Sequence, residues 1–162
     1  MPDYRIKGAP KELKIDELIR QIHQSDMVKR RIEDLAVRNR GISITAEEMK
    51  ELEKKPGDDV RIFAGGQTIA DVSSDHIDER YIYTAPSIIA KTRGNIDFEL
   101  YDGPFTHKSE IWSYTVNDYN VDQRYVYYYL KHIKEELADY AKTKSVRITQ
   151  LSTGDLDRVE KL

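Results

Sequence analysis

The chain has 162 residues, a formal net charge of −3, 34% charged residues and no cysteine. This length accommodates one domain with a substantial core, and the 39% of hydrophobic residues argues against global disorder. Disulfides and thiolate metal sites are excluded. No apolar run approaches the roughly 20 residues that cross a bilayer, and the first residues lack the apolar core of a signal peptide. We therefore expect a cytoplasmic protein without a membrane segment.

Positive and negative charges are segregated along the sequence. Acidic residues crowd 47–59 and 71–79, whereas 91–94 and 142–147 are basic. An acidic total argues mildly against a nucleic-acid-binding domain, but a phosphate backbone responds to the local field and not to the net charge. The pattern is therefore compatible with a basic face on an acidic protein.

The first predicted element is an amphipathic helical arm within residues 1–30. After a turn at 8–10, the apolar residues of segment 11–30 follow the 0, +3, +4, +7 spacing of one helix stripe. A single stripe must pack on the domain or on another chain. We predict that it forms an interface made by Ile15, Leu18, Ile19 and Ile22.

Short strands and helices are predicted over the remaining residues, 31–162. The sequence from Thr45 to Glu48 is a capping box, which starts a helix, and Gly65-Gly66 lies between two apolar runs, as in a hairpin turn. In chain order we predict a short apolar element at 32–40, a helix from 45 to before Pro56, strands at 60–64 and 67–72, an acidic loop at 73–80, strands at 81–84, 87–91, 96–101 and 109–116, a helix at 122–141, a short apolar piece at 146–148 and a final short helix after 152.

These elements predict an α+β fold, with one mixed β-sheet flanked by three or four helices. Trp112 is expected in the core. The tyrosines at 125 and 127–129 occupy successive positions of one helix, so some must pack inside while Tyr127 or Tyr128 is exposed.

Motifs of catalysis are absent from the sequence. It contains neither a phosphate-binding Gly-x-x-x-x-Gly-Lys-Ser/Thr loop nor a Gly-x-Ser-x-Gly elbow, and the four histidines lack metal-ligand spacing. Asp97 and Glu99 alternate on one strand face and could hold magnesium in a nuclease. However, the common nuclease motif has lysine two residues after the second carboxylate, where this chain has Tyr101. Solvated strand residues explain the pair better, and we rank a magnesium nuclease last.

Basic and hydrogen-bonding side chains gather at predicted turns. Segment 91–94, Lys-Thr-Arg-Gly, places two cations and a hydroxyl around a glycine, which suits phosphate contacts or bidentate base recognition. Segment 106–108, Thr-His-Lys, follows a Gly-Pro turn, and segment 142–147 supplies a third basic group. Each group alone is a weak signal, because surface charges are usually only solvated. Their convergence cannot be derived from sequence.

Several blocks between residues 31 and 162 occur in a characteristic order. They are RGISITA at 40–46, IFAGGQT at 62–68, PSIIAKTRG at 86–94, YDGPFTHK at 101–108, WSY at 112–114 and RYVYYYL at 124–130. Together they resemble the target-recognition domain of specificity subunits from type I restriction–modification systems. The resemblance covers 31–162 and leaves the N-terminal arm outside it.

The resemblance implies a non-catalytic reader of double-stranded DNA that recognises one half of a bipartite site, without a cofactor of its own. Its partners would be the methylation and restriction subunits, which carry the chemistry. Family contacts come from loops of variable sequence, so the contact residues must be predicted from the turns of this chain. We predict DNA contacts at Gly66, Gln67, Thr68, Lys91, Thr92, Arg93, His107, Lys108, Lys144 and Arg147.

The resemblance also implies that this is a half-length specificity subunit. The family's full-length subunit has two such domains, so a chain with one would pair with another chain, for example as a homodimer through the helix at 11–30. The alternative is a protein-interaction module, or an orphan or truncated recognition domain, that acts mainly through this helix.

Overall fold

The computed structural model describes residues 31–144, except for the side chain of Lys144, together with residues 156, 157 and 159. Within these residues three α-helices and seven strands form, with two single-turn 3-10 helices between β3 and β4. The helices are α1 (Ile32–Leu35), α2 (Ala46–Glu53) and α3 (Gln123–Lys144). The strands are β1 (Ala36–Asn39), β2 (Val60–Phe63), β3 (Ile69–Val72), β4 (Ser87–Lys91), β5 (Asp97–Tyr101), β6 (Phe105–His107) and β7 (Trp112–Val116).

The strands form two sheets, where the sequence pattern led us to expect one. The larger sheet has the order β1-β7-β4-β5 and is antiparallel throughout. The smaller has the order β3-β2-β6 and is mixed, because β2 and β6 run parallel. The α+β class is confirmed.

Helices and sheets stack in four layers, α3, larger sheet, smaller sheet and α2. Strands β4, β5 and β7 pack one face on α3, where Val126 and Leu130 are buried. Residues of both sheets, including Phe63, Ile89 and Phe105, form the core between them. The outer face of the smaller sheet packs on Met49 of α2. Strand β4 is thus covered on both faces, and all five of its residues are buried.

Helix α2 begins and ends at the predicted signals. The Thr45 hydroxyl accepts a 3.1 Å hydrogen bond from the Glu48 backbone N–H, and the Glu48 carboxylate accepts one of 3.1 Å from the Thr45 N–H. These bonds satisfy two amides that would otherwise lack a helical partner. The helix ends at Glu53, before Pro56, and the hairpin of β2 and β3 follows. The predicted capping box, helix and hairpin are confirmed.

Strand β6 is an element that the sequence did not predict. Its three residues pair in parallel with β2, and Tyr83 forms an isolated bridge with Phe105 where we predicted a strand at 81–84. Trp112, which we expected in the core, is half-buried and packs against the core cluster beside α3. Within α3, Tyr129 is buried and Tyr128 is exposed, as the prediction allowed.

A hydrogen-bonded chain of polar side chains lies between the sheets. His107 Nε2 lies 3.1 Å from Ser113 Oγ, which also accepts a 3.1 Å bond from Asn39 Nδ2. Asn39 donates a second bond, of 2.8 Å, to Thr115 Oγ1, and Thr115 Oγ1 lies 2.7 Å from Ser87 Oγ. Each of these polar groups therefore has a partner in the interior, which buried polar groups require.

Residues near the C-terminus return to the start of the described domain. Leu156 is buried in the core beside α3. The Asp157 carboxylate accepts a 2.8 Å bond from the Tyr114 hydroxyl and pairs with Arg38 at 2.6 Å. The predicted arm at 1–30, the segment at 146–148 and most residues of the predicted final helix lie outside the described residues.

Candidate nucleic-acid interface

Three turns meet at one end of the two sheets. They are the β2–β3 turn at 65–68, the β4–β5 turn at 92–96 and the β6–β7 loop at 108–111, which together we call the turn cluster. Because β2 and β6 are parallel, both lead into this end, and the Lys108 N–H donates a 2.9 Å bond to the Phe63 carbonyl. The pairing of Ala90 with Trp112 brings the β4–β5 turn beside the same loop.

A small cavity separates the β2–β3 turn from the β4–β5 turn. Its volume is about 160 Å³, and we call it the Arg93 cavity. Its lining comprises Gly65, Gly66, Lys91, Thr92, Arg93, Glu110 and Ile111. Residues from all three turns therefore surround one space, and the predicted basic group at 91–94 contributes three of the lining residues.

A second concavity lies on the other flank of the β2–β3 turn. This groove, of about 270 Å³, runs between the turn and α2, and we call it the Lys50 groove. Its lining comprises Ala46, Met49, Lys50, Glu53, Ala64, Gly65, Thr68, Ile69 and Lys108. Gly65 lines both spaces, so the turn forms the wall between them.

The cations that line the Arg93 cavity and the Lys50 groove fall into paired and unpaired groups. Lys91 is only 8% exposed, and its Nζ lies 3.5 Å from a Glu99 carboxylate oxygen. Lys108 pairs with Glu110 at 2.9 Å. In the described part of the chain, neither Arg93 nor Lys50 makes an ion pair, and both are exposed. These two side chains are therefore the most available to an anionic ligand.

The uncharged residues predicted to contact DNA divide by burial. Gly66, Gln67 and Thr68 are all exposed at the β2–β3 turn. Thr92 is only 1% exposed, and its hydroxyl oxygen has no hydrogen-bond partner among the described residues. The β2–β3 turn thus offers its side chains to a ligand, whereas the Thr92 hydroxyl lies beneath the surface of the Arg93 cavity.

His107 does not fit its predicted role as a DNA contact. It is 0% exposed, and its Nδ1 lies 2.9 Å from the Lys108 carbonyl oxygen while Nε2 faces Ser113. Burial lowers the pKa of the imidazole, more than its backbone hydrogen bonds raise it. In the neutral ring, Nδ1–H donates to the carbonyl and Nε2 accepts from Ser113. His107 therefore positions the 108–111 loop from inside.

Asp97 and Glu99, the carboxylates of the nuclease hypothesis, are both paired with lysines. Asp97 accepts a 2.7 Å bond from Lys131 Nζ, and Glu99 pairs with Lys91. Burial raises the pKa of Asp97, but the bonds from Lys131 and the Phe98 N–H outweigh it, so the pKa is lowered. Among the described residues, no three His, Cys, Asp or Glu side chains are grouped as metal ligands.

The family model for the type I restriction modification DNA specificity domain matches residues 24–160. The chain belongs to this family. The match confirms the resemblance seen in the sequence blocks, and it identifies the chain as a specificity domain, the DNA-recognition component, and not as a catalytic subunit. No curated protein matches the chain significantly.

Two solved structures share the fold of this specificity domain. One is the S subunit of a type I restriction–modification system from M. genitalium, with a TM-score of 0.60 and 22% identity, matched over 82% of this chain and 33% of that one. The other is the HsdS subunit from Thermoanaerobacter tengcongensis, with a TM-score of 0.59 and 12% identity, matched over 90% of this chain and 38% of that one. The chain thus matches 33% of the length of the first subunit and 38% of the second.

Some predicted residues of the specificity domain lie beyond what the structure describes. The side chain of Lys144 and all of Arg147 are among them, as are the four stripe residues of the N-terminal arm. Their roles stay predictions. None of the helices within the described residues is long and apolar enough to span a membrane.

Sequence reasoning missed two charged residues of the turn cluster region. Lys50 is the one cation within the otherwise acidic and apolar sequence of α2, and it lines the groove beside the hairpin turn. Glu110 lies in the 108–111 loop, where it lines the Arg93 cavity and pairs with Lys108. No sequence signal placed α2 next to the β2–β3 turn, because that neighbourhood depends on the packing of the smaller sheet.

Proposed function

We propose that the turn cluster binds double-stranded DNA, and that the domain recognises one half of a bipartite site as the specificity component of a type I restriction–modification system. The observation that carries the proposal is the convergence of three turns from distant parts of the chain on one surface. That surface has two cations, Arg93 and Lys50, that form no ion pair with any described residue, and exposed hydrogen-bonding side chains. Phosphate contacts and base contacts need these two kinds of side chain.

The family to which the chain belongs supports DNA as the ligand. We further propose that the chain works with methylation and restriction subunits, which supply the chemistry. A single domain would read one half of the site, and a second copy or a second specificity chain would read the other. Sedimentation of the full chain, alone and with a duplex carrying two inverted half-sites, measures this stoichiometry directly.

The decisive experiment is selection of bound sites from a random duplex library by the full chain, with and without a methylation subunit from the same system. We expect one enriched sequence block for each bound domain. An unenriched pool under both conditions would refute sequence-specific recognition. Cleavage of the library by the purified chain would instead revive the nuclease hypothesis.

A matched pair of variants tests the location of the interface. Arg93→Ala removes an unpaired cation from the turn cluster, and Arg124→Ala removes an exposed one at the start of α3, beyond the opposite end of β7. Removing one phosphate contact reduces the slope of log affinity against log salt by about 0.9. We expect this reduction for Arg93→Ala and an unchanged slope for Arg124→Ala. Equal slopes for both variants would place the DNA elsewhere.

A further inference from the structure

We infer that the β2–β3 turn enters a groove of the duplex and reads base edges through Gln67, while Arg93 on one flank and Lys50 on the other contact the two phosphate strands. This inference rests on the proposed function and assigns separate roles within the same surface. It makes Gln67 a specificity-determining residue, and it assigns Lys50, a helix residue, to one of the two phosphate strands.

The shape of the β2–β3 hairpin suits a DNA groove. Its two strands pair from Val60–Val72 to Phe63–Ile69, and a 3.0 Å bond from the Ala64 N–H to the Thr68 carbonyl closes the ladder. Strand β2 also pairs with β6 as far as Phe63, so only the turn extends beyond the three-stranded sheet, and this narrow turn is the part that can enter a major groove about 12 Å wide. The turn itself, residues 65–68, is exposed and carries no charge. Because the turn has no charged side chain, it can be buried against base edges without leaving a charge that needs a partner.

Gln67 has the chemistry for base recognition. Its amide is exposed, and within the described residues no hydrogen bond engages it. A glutamine amide carries both a donor and an acceptor, which match N7 and the N6 amino group of adenine in the major groove. Lysine and arginine bound to phosphates carry no sequence information. Among the exposed turn residues, the glutamine is thus the best suited to distinguish bases.

The unpaired cations flank this turn on opposite sides. Arg93 lines the Arg93 cavity and Lys50 lines the Lys50 groove, with Gly65 as the shared wall between the two spaces. Each space also contains one carboxylate, Glu110 in the first and Glu53 in the second. These carboxylates limit the positive charge on each flank. A turn inserted between two phosphate strands would meet one strand on each side, and Arg93 and Lys50 are distributed in this way, one on each flank.

Binding-site selection with Gln67→Ala tests the base-reading role, with Lys50→Ala as its counterpart. For Gln67→Ala we expect loss of preference at one base pair of the enriched block and a roughly 5- to 150-fold weaker affinity for the wild-type site. For Lys50→Ala we expect the same enriched block and equal weakening on target and random DNA. Urea unfolding midpoints equal to wild type confirm that both variants fold.

The outcomes separate this inference from the proposed function. If Gln67→Ala enriches the wild-type block at every position, the base-reading role is refuted while sequence-specific binding stands. If the wild-type chain enriches nothing, sequence-specific binding itself is refuted, and the role of Gln67, which depends on it, is refuted with it.

A second measurement tests the two flanks. Target duplexes with single uncharged phosphates identify the strand that each cation contacts, because a variant that lacks the cation becomes insensitive to that substitution. We expect Arg93→Ala to lose sensitivity on one strand and Lys50→Ala on the other. Loss on the same strand, or on neither, would refute the straddling arrangement.

Discussion

Substitution of Gly41 by alanine should destabilise the domain through a steric clash behind the turn cluster. Gly41 lies next to Ile42, whose N–H donates a 2.8 Å bond to the His107 carbonyl and whose carbonyl accepts a 2.8 Å bond from the Ser109 N–H. The two chain segments are therefore held side by side by backbone bonds. A Cβ at position 41 would lie 2.5 Å from the carbonyl oxygens of His107 and Lys108 and 2.6 Å from His107 Nδ1.

The size of the effect follows from what must move. Two of the three atoms belong to the backbone and the third to a buried ring, so none can yield as a flexible side-chain end would. Inserting a methyl group into a well-packed region costs about 1–3 kcal/mol. In a domain of this size each kcal/mol lowers the melting temperature by roughly 2–4 °C. Because the displaced segment leads into the 108–111 loop, DNA affinity should fall as well.

Urea unfolding of the full chain measures the change in the free energy of unfolding, and Gly65→Ala is the matched control. A Cβ at position 65 meets no atom within 4 Å, so its effect should stay within about 0.5 kcal/mol. If Gly41→Ala is as stable as Gly65→Ala, the close packing of residues 41 and 107 is wrong, and with it the account of how His107 positions the loop.

Three further predictions concern single side chains. Because its folded-state pKa is lowered, Asp97 stabilises the fold fully above pH ~4 and loses this contribution as the pH falls through that lowered value. In urea unfolding, the Asp97→Asn variant should therefore lose less stability than wild type between pH 7 and pH 3. An equal loss would contradict the Lys131 pairing. Thr92→Val replaces a buried hydroxyl that has no partner among residues 31–144, so the free energy of unfolding should stay equal or rise by about 1 kcal/mol. A fall of that size would mean that the hydroxyl is bonded. Glu110→Gln removes a negative charge from the Arg93 cavity and should raise duplex affinity roughly 2- to 10-fold at low salt, measured by fluorescence anisotropy. Weaker binding of this variant would contradict the prediction.

Much of the local structure could be predicted from the sequence, because its signals are local. The strand at 87–91, the capping box at Thr45 and the hairpin at Gly65-Gly66 all depend on neighbouring residues. Strand β6 could not be predicted in this way. It has three residues, too few for a clear alternation, and its parallel partner β2 lies more than 40 positions earlier in the sequence. The division into two sheets was missed for a related reason, since alternation predicts which side chains are buried and not what covers them.

The candidate site was predictable only as a set of turns. The glycines at 66 and 94 have φ angles of +66° and +75°, which glycine adopts without strain, and both turns were predicted from them. The inward orientation of His107 was not predictable, because the polar Ser113 that holds it comes from a different strand. Lys50 was missed because the contact between α2 and the hairpin turn arises only from tertiary packing.

The polar chain from His107 to Ser87 also determines strand register. Its bonds connect side chains of β1, β4, β6 and β7, all directed into the space between the sheets. If β1 slipped by one residue along β7, Asn39 would turn to the opposite face, and the hydroxyls of Ser113 and Thr115 would lose their amide partner. Such a slip would leave several buried polar groups without bonds, each at a cost of about 1–3 kcal/mol. A hydrophobic interior at these positions would tolerate neighbouring registers more evenly. The network thus selects one alignment of the strands, and through His107 the same alignment determines where the 108–111 loop emerges.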